Sequence, residues 1–196
     1  MQGRVLQQRG MADQQVVFLA QRDEVQALGL RRGGNAQAHI GLALGHSLLG
    51  DLALARKNPA AALVAFRQAH KVEPSTGTTL TLMNLLAGQN QANEALDVGR
   101  QRLRQAPGDV AVQLLVGDLH ARTGRFGDAA TAYKAALKTQ PQNAQALNNL
   151  ANAQLKLKDP AALQTAQAAH KVAPQNPLVI DTLGWVLFQQ GQTDQA

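Results

Sequence analysis

The chain has no cysteine, which removes a disulfide framework, a Cys-ligated zinc or iron–sulfur centre and a thiol nucleophile from consideration. Aromatic residues make up only 3% of its 196 residues, although 45% are hydrophobic. A core of large rings is therefore excluded, and the chain has to bury alanine and leucine in close helix contacts. Runs such as Ala60-Ala61-Ala62 and Ala161-Ala162 suit this, because alanine is the best helix former and lets helices approach closely. The class is all-α. Charge is not concentrated either: 19 basic and 13 acidic residues give +6, and the one basic cluster is Arg100, Arg102 and Arg104. Without a basic stripe interleaved with aromatics, the cluster reads as a solvated helix face, and no nucleic-acid partner is expected. Residues 1–20 lack a charged leader followed by an apolar run. No window approaches the ~18 apolar residues of a membrane span, so direct membrane insertion is not expected. A phosphate-cradling glycine loop and a Gly-x-Ser-x-Gly elbow are also missing. Of the histidines, His39 and His46 are seven residues apart, about 10 Å along a helix. His70 and His170 share a recurring Ala-His-Lys-Val, and neither they nor His120 has a second ligand at metal spacing. No catalytic, metal or cofactor site is expected, and the chain reads as a non-enzyme.

What is present is a period. Pro74, Pro107, Pro141 and Pro174 each follow an amphipathic run, and their separations are 33, 34 and 33 residues. Alanine recurs in step at Ala62, Ala95, Ala129, Ala162 and Ala196. A second position is small at Gly50, Gly117, Ala151 and Gly184 but is Met83 in the second unit. Another alternates large and small, as Phe66, Gly99, Tyr133 and Ala166. Turns inside the units are marked by Gly124 and Gly191 and by Asn58-Pro59 and Asp159-Pro160, where proline suits the first turn of a helix.

A period near 34 with these small and aromatic positions resembles the tetratricopeptide repeat (TPR) family over about residues 43–196. The clearest unit is Val110 to Asn143, which carries Val116-Gly117, Phe126, Ala129, Tyr133, Ala136 and Pro141. The resemblance implies a right-handed α-solenoid of helix-turn-helix repeats. Its units are 43–75, 76–109, 110–143, 144–176 and an incomplete 177–196. Small side chains then sit where the two helices of a hairpin cross, so Met83 implies a splayed or repacked second hairpin. Residues 36–57 form one apolar-periodic run without a stop and allow a second register. The register with Gly50 at the crossing needs no insertion before Pro74. Residues 1–35 lack the signature, but Asp13 to Leu30 looks helical and Arg31-Arg32-Gly33-Gly34 looks like its stop, so a degenerate helical segment is expected there. Ala196 falls where the last second helix should begin. The chain thus reads as a fragment whose helix over Leu178–Gln190 leaves apolar surface for a crystal contact or a homodimer to cover.

In the family, the first helix of each repeat lines a concave groove. The resemblance carries a ladder onto Asp51, Asn84, Asp118, Asn152 and Trp185, separated by 33, 34, 34 and 33 residues. Short polar side chains one repeat apart suit the main chain of an extended peptide, and Trp185 suits an apolar anchor. Asn148 and Asn149 extend the polar patch, and Arg122 and Lys156 can pair an acidic group. The alternative is a merely solvated face, with Trp185 a core or capping ring. The basic set of a carboxylate clamp is missing.

Leu115-Val116-Gly117-Asp118-Leu119-His120, Ala146-Leu147-Asn148-Asn149-Leu150-Ala151 and Asp181-Thr182-Leu183-Gly184-Trp185 follow one another at about one repeat. In that order they resemble the C-terminal part of TPR-repeat lipoproteins of the PEP-CTERM/exosortase system. That resemblance implies an envelope location, by way of a lipid-anchored parent, and a role in exopolysaccharide production or protein sorting. The function expected is a protein- or peptide-binding scaffold. A structural spacer, or a non-catalytic domain of a larger enzyme, stands beside it.

Overall fold

Side chains that accept hydrogen bonds stand at five of the described helix starts, and glycine, asparagine or lysine stands just past many of the ends. That punctuation organises the computed structural model, which describes residues 36–192. The segment 1–35, with its expected helix over Asp13–Leu30, and Ala196 lie outside the described residues. The chain divides into two compact units, Met1–Gln89 and Asn90–Ala196.

In the first unit, α1 (Ala36–Ala55), α2 (Pro59–Val72) and α3 (Thr76–Gly88) pack in sequence, α1 on α2 and α2 on α3. The run without a stop is one helix, and α1 extends seven residues ahead of the repeat register that begins at residue 43. Asn58 caps α2 by accepting from the Ala61 amide at 3.0 Å, and Ser75 caps α3 through the Thr78 amide at 3.3 Å. The core holds Leu42, Ala43, Ala62, Leu63, Phe66, Ala69, Leu82, Met83 and Leu86. Gly50 lies under the ring of Phe66: a Cβ there would fall onto Cε2, with Cδ2 at 2.6 Å and Cζ at 2.7 Å.

One sequence expectation is corrected in α1. Its stretch Ala38–Ala55 is 18 residues long with a mean hydropathy of 1.3, long and apolar enough to cross a membrane by length and composition. Glycine, alanine and leucine dominate it, and Asp51 is its one Asp, Glu, Lys or Arg, beside His39 and His46. Both faces are apolar in consequence. Leu42, Ala43 and His46 are buried, while Ile40, Leu44 and Leu48 remain exposed.

The second unit holds α4 (Ala92–Gln105), α5 (Val110–Arg122), α6 (Phe126–Thr139), α7 (Ala144–Lys156), α8 (Ala162–Val172) and α9 (Pro177–Gln189). Each helix packs on the next, and α7 also touches α5 and α9. Asp109, Asn143 and Asn176 cap α5, α7 and α9. Asp109 also accepts from Arg102 Nε at 3.0 Å, and Arg100 pairs with Asp97, so two of the clustered arginines serve the fold itself. The core runs in layers. Leu114, Ala129, Tyr133, Ala136, Ala146, Leu150 and Ala153 form one. Ala151, Ala162, Ala166 and Val186 form the next, and Leu147, Ala169 and Val179 another. Gly117 repeats the arrangement of Gly50, since a Cβ there would fall onto Tyr133 Cε1, with Cδ1 at 2.7 Å and Cζ at 2.8 Å. Where the crossing residue is Ala151, the partner position shrinks to Ala166 and Val186 fills the space.

The turns after the first helices share one geometry. Lys57, Asn90, Gly124, Lys158 and Gly191 are left-handed, with φ of 57°, 61°, 74°, 56° and 76°, at intervals of 33, 34, 34 and 33 residues. Around Lys57, the Asn58 amide donates to Ala53 O at 2.9 Å and the Lys57 amide to Leu54 O at 2.8 Å. The same bond pair recurs at Gly124, Lys158 and Gly191, closing each helix end in a Schellman motif.

Candidate binding groove

Helix periodicity puts Asp118 and Arg122 on one face of α5, four residues apart, and Asn149, Asn152 and Lys156 on one face of α7. Packing of α5, α6 and α7 brings these two faces together around a groove of about 590 Å³. Phe126 and Tyr133 from α6 form its aromatic wall. Asp118, Arg122, Asn149, Asn152 and Lys156 all line it, although they come from two repeats.

The polar groups are wired together. The Tyr133 hydroxyl donates to Asp118 Oδ1 at 2.7 Å, and Asn149 Nδ2 donates to the same oxygen at 2.9 Å. Asp118 thereby joins α5, α6 and α7 at one atom. Asn152 Nδ2 donates to the Asn148 carbonyl at 3.2 Å and to Thr182 Oγ1 of α9 at 3.0 Å. Both Asn152 amide hydrogens and one of the two on Asn149 are spent inside the protein, and the acceptors Asp118 Oδ2 and Asn152 Oδ1 take no donor among the described residues. Burial pushes the Tyr133 hydroxyl well above the ordinary tyrosine range, and the hydrogen bond to Asp118 and that carboxylate's charge push the same way; the Asn149 amide opposes them. Tyr133 is therefore a permanent donor to Asp118. Arg122 and Lys156 are exposed and have no carboxylate partner among the described residues.

Asn148 has to be taken off the groove. It is buried, only 9% exposed, and its amide donates instead to Asn149 Oδ1 at 3.4 Å. Helical rotation puts Asn148 at the edge of the face that carries Asn149, Asn152 and Lys156, on the side turned into the protein, and it does not line the groove. Trp185 lies on α9, half exposed, stacked on Phe188 with ring centroids 5.5 Å apart. It lines a different groove of about 510 Å³ with Lys156, Lys158 and Gln189. Asp51 and Asn84 are exposed on the first unit, where neither side chain makes a hydrogen bond with a described residue. Sequence reasoning placed Tyr133 in packing alone and left Thr182 out. The signal for Tyr133 was its place 16 residues after Gly117, one hairpin crossing away from Asp118.

The sequence profile of the tetratricopeptide repeat family matches residues 80–137 and 114–177, together 98 of 196 residues. The chain is a tetratricopeptide repeat protein. No curated protein matches it. Among solved structures, this TPR chain is similar to MamA from Desulfovibrio magneticus RS-1, with a TM-score of 0.68 and 16% identity over 78% of this chain and 88% of that one. It is also similar to YrrB, described as a TPR protein with an unusual peptide-binding site, with a TM-score of 0.60 and 15% identity over 79% and 95%. A third is pilF of Pseudomonas aeruginosa, with a TM-score of 0.64 and 20% identity over 76% and 69%. At these identities the likeness is one of fold: helical hairpins in a TPR array, a scaffold consistent with protein or peptide partners.

Proposed function

We propose that the groove over α5 and α7 holds an extended segment of a partner protein, with main-chain amides on Asp118 and Asn152 and an acidic side chain between Arg122 and Lys156. The observation that carries this is the distribution of donors and acceptors. Internal bonds take both amide hydrogens of Asn152 and one of the two on Asn149, while Asp118 Oδ2 and Asn152 Oδ1 accept from no described residue, so the ladder offers chiefly acceptors to the groove, and a peptide backbone supplies donors. Two cations without carboxylate partners among the described residues stand beside it. That YrrB, similar in fold, has a peptide-binding site agrees with this use of the array. Pull-down with wild type and with Arg122→Glu/Lys156→Glu tests it. These residues are exposed, so the fold survives, and captured acidic segments should be lost; identical partner sets would rule the groove out. The finer context we propose, an envelope assembly for exopolysaccharide or sorting, rests on the resemblance of three sequence stretches to exosortase-system lipoproteins.

A second reading concerns α9. Leu178, Ile180, Trp185 and Phe188 are exposed by 70%, 48%, 50% and 52%, an apolar surface suited to a homodimer. Light scattering coupled to gel filtration decides it, and a monomer at high concentration excludes it.

A further inference from the structure

Trp185 stands outside the groove over α5 and α7, yet its own groove and that one share Lys156. Stacking on Phe188, with ring centroids 5.5 Å apart, holds the indole while half of it stays exposed. A ring held in this way offers a ligand a large contact that needs little further ordering. The surroundings are cationic. Asp159, the one acidic residue lining this second groove, is turned to its own helix start: Oδ1 accepts from the Ala161 amide at 2.9 Å, and Oδ2 is 3.5 Å from Gln154 Nε2. Lys156 and Lys158 are exposed and have no carboxylate partner among the described residues. Asp181, one turn before Trp185 on α9, does not line the groove.

We propose that the partner segment over α5 and α7 continues onto α9, and that it is an acidic stretch carrying an aromatic side chain. The aromatic ring stacks on Trp185, and a carboxylate beside it meets Lys158. This rests on the peptide reading of the first groove and names the chemistry of its ligand. Lys156 supplies the continuity, since it lines both grooves. The two lysines select acidic neighbours. An aromatic side chain fits between them better than an aliphatic one, because it can both stack on indole and accept an ammonium on its face. Helices α7 and α9 are in contact. Packed helix axes lie about 8–10 Å apart, a distance that an extended chain crosses in about three residues. The aromatic residue therefore lies about three positions from the acidic residue held between Arg122 and Lys156.

Trp185 is the single tryptophan of the chain, so its fluorescence reports the contact directly. The probe is a labelled glycine–serine octapeptide with glutamate at its second position and phenylalanine and glutamate at its fifth and sixth. The reversed sequence tests the other direction, and serine in place of phenylalanine gives the control for each. One direction of the phenylalanine peptide should shift the indole emission to the blue and bind about fivefold more tightly than its control. Followed by anisotropy of the label, Trp185→Ala, Lys158→Glu and Arg122→Glu should each weaken it by about fivefold or more. Binding that Arg122→Glu abolishes, with the emission unmoved and Trp185→Ala and Lys158→Glu without effect, would overturn the continuation and leave the first groove's reading intact. Binding lost in Trp185→Ala but indifferent to Arg122→Glu would remove the first groove's reading and the shared segment with it. A blue shift on raising protein concentration without peptide would overturn the proposal in favour of a second copy on α9. Failure of both directions to bind would overturn it outright.

Discussion

Gly117→Ala is expected to destabilise the protein, against the preference of a helix for alanine. Exchanging glycine for alanine inside a helix ordinarily gains about 1 kcal/mol. Here the added methyl falls onto the Tyr133 ring, with Cδ1 at 2.7 Å and Cζ at 2.8 Å, and that ring is only 2% exposed within a closed layer. Overpacking of this kind costs about 1–3 kcal/mol. Shifting the ring also draws the hydroxyl away from Asp118, now 2.7 Å off, and a lost buried hydrogen bond adds about 1–3 kcal/mol. The sum, less the helix gain, is a net loss of about 1–5 kcal/mol. Tyr133→Ala removes the obstacle and itself costs about 3–5 kcal/mol. In that background Gly117→Ala should reverse sign and stabilise by up to about 1 kcal/mol, reproducing the Ala151–Ala166 pairing found further along the chain. Urea unfolding followed by helical circular dichroism measures all four corners of the cycle. If Gly117→Ala is neutral or stabilising in the wild type, or equally harmful in both backgrounds, the close crossing is not what demands glycine there.

Lys57→Gly and Lys158→Gly should each stabilise by about 0.5–1 kcal/mol, because a left-handed L residue costs about 1–2 kcal/mol and glycine returns part of that as unfolded-state entropy; thermal melts check this, with Gly124→Lys expected to act oppositely. The single tyrosine should show no tyrosinate absorbance through the ordinary range near pH 10 in the native protein and should titrate normally in urea. Burial, with Arg125 and Arg100, lowers the His120 pKa below 6.5, and Asp128 opposes them. The unfolded chain then binds the proton more readily, so this contribution is present above pH 6.5 and is lost as pH falls from there through the lowered native pKa. A wild-type loss of stability on acidification that His120→Gln retains in full would refute that assignment.

The hairpins were legible because prolines, alanines and crossing glycines repeat at fixed intervals, and a side chain's size at a crossing is a local fact. Asp118, Arg122, Asn149, Asn152 and Lys156 converge because a conserved register along the chain becomes adjacency once repeats stack. Other features were hidden for physical reasons. Lys57 and Lys158 occupy the same left-handed turn as Gly124, yet lysine has no preference for that conformation, so nothing in its identity announces it. Asn148 was grouped with Asn149 by adjacency, whereas helical rotation sends it inward. The two-sided character of α1 escaped notice because a run of leucine, alanine and glycine does not say which side is covered.

The bonds from Asn149 to Asp118 and from Asn152 to Thr182 each cross from one repeat to the next. The groove's acceptors are therefore spaced by the rise of the array, and the hydrogen bonds that aim them also hold that rise. On the proposed peptide-binding reading, a ligand that matches the spacing would meet a ruler already set, and one that does not would have to stretch those bonds to bind. Selectivity for the partner's backbone conformation would then be a mechanical property of the stack, carried by its pitch as much as by any side chain at its surface.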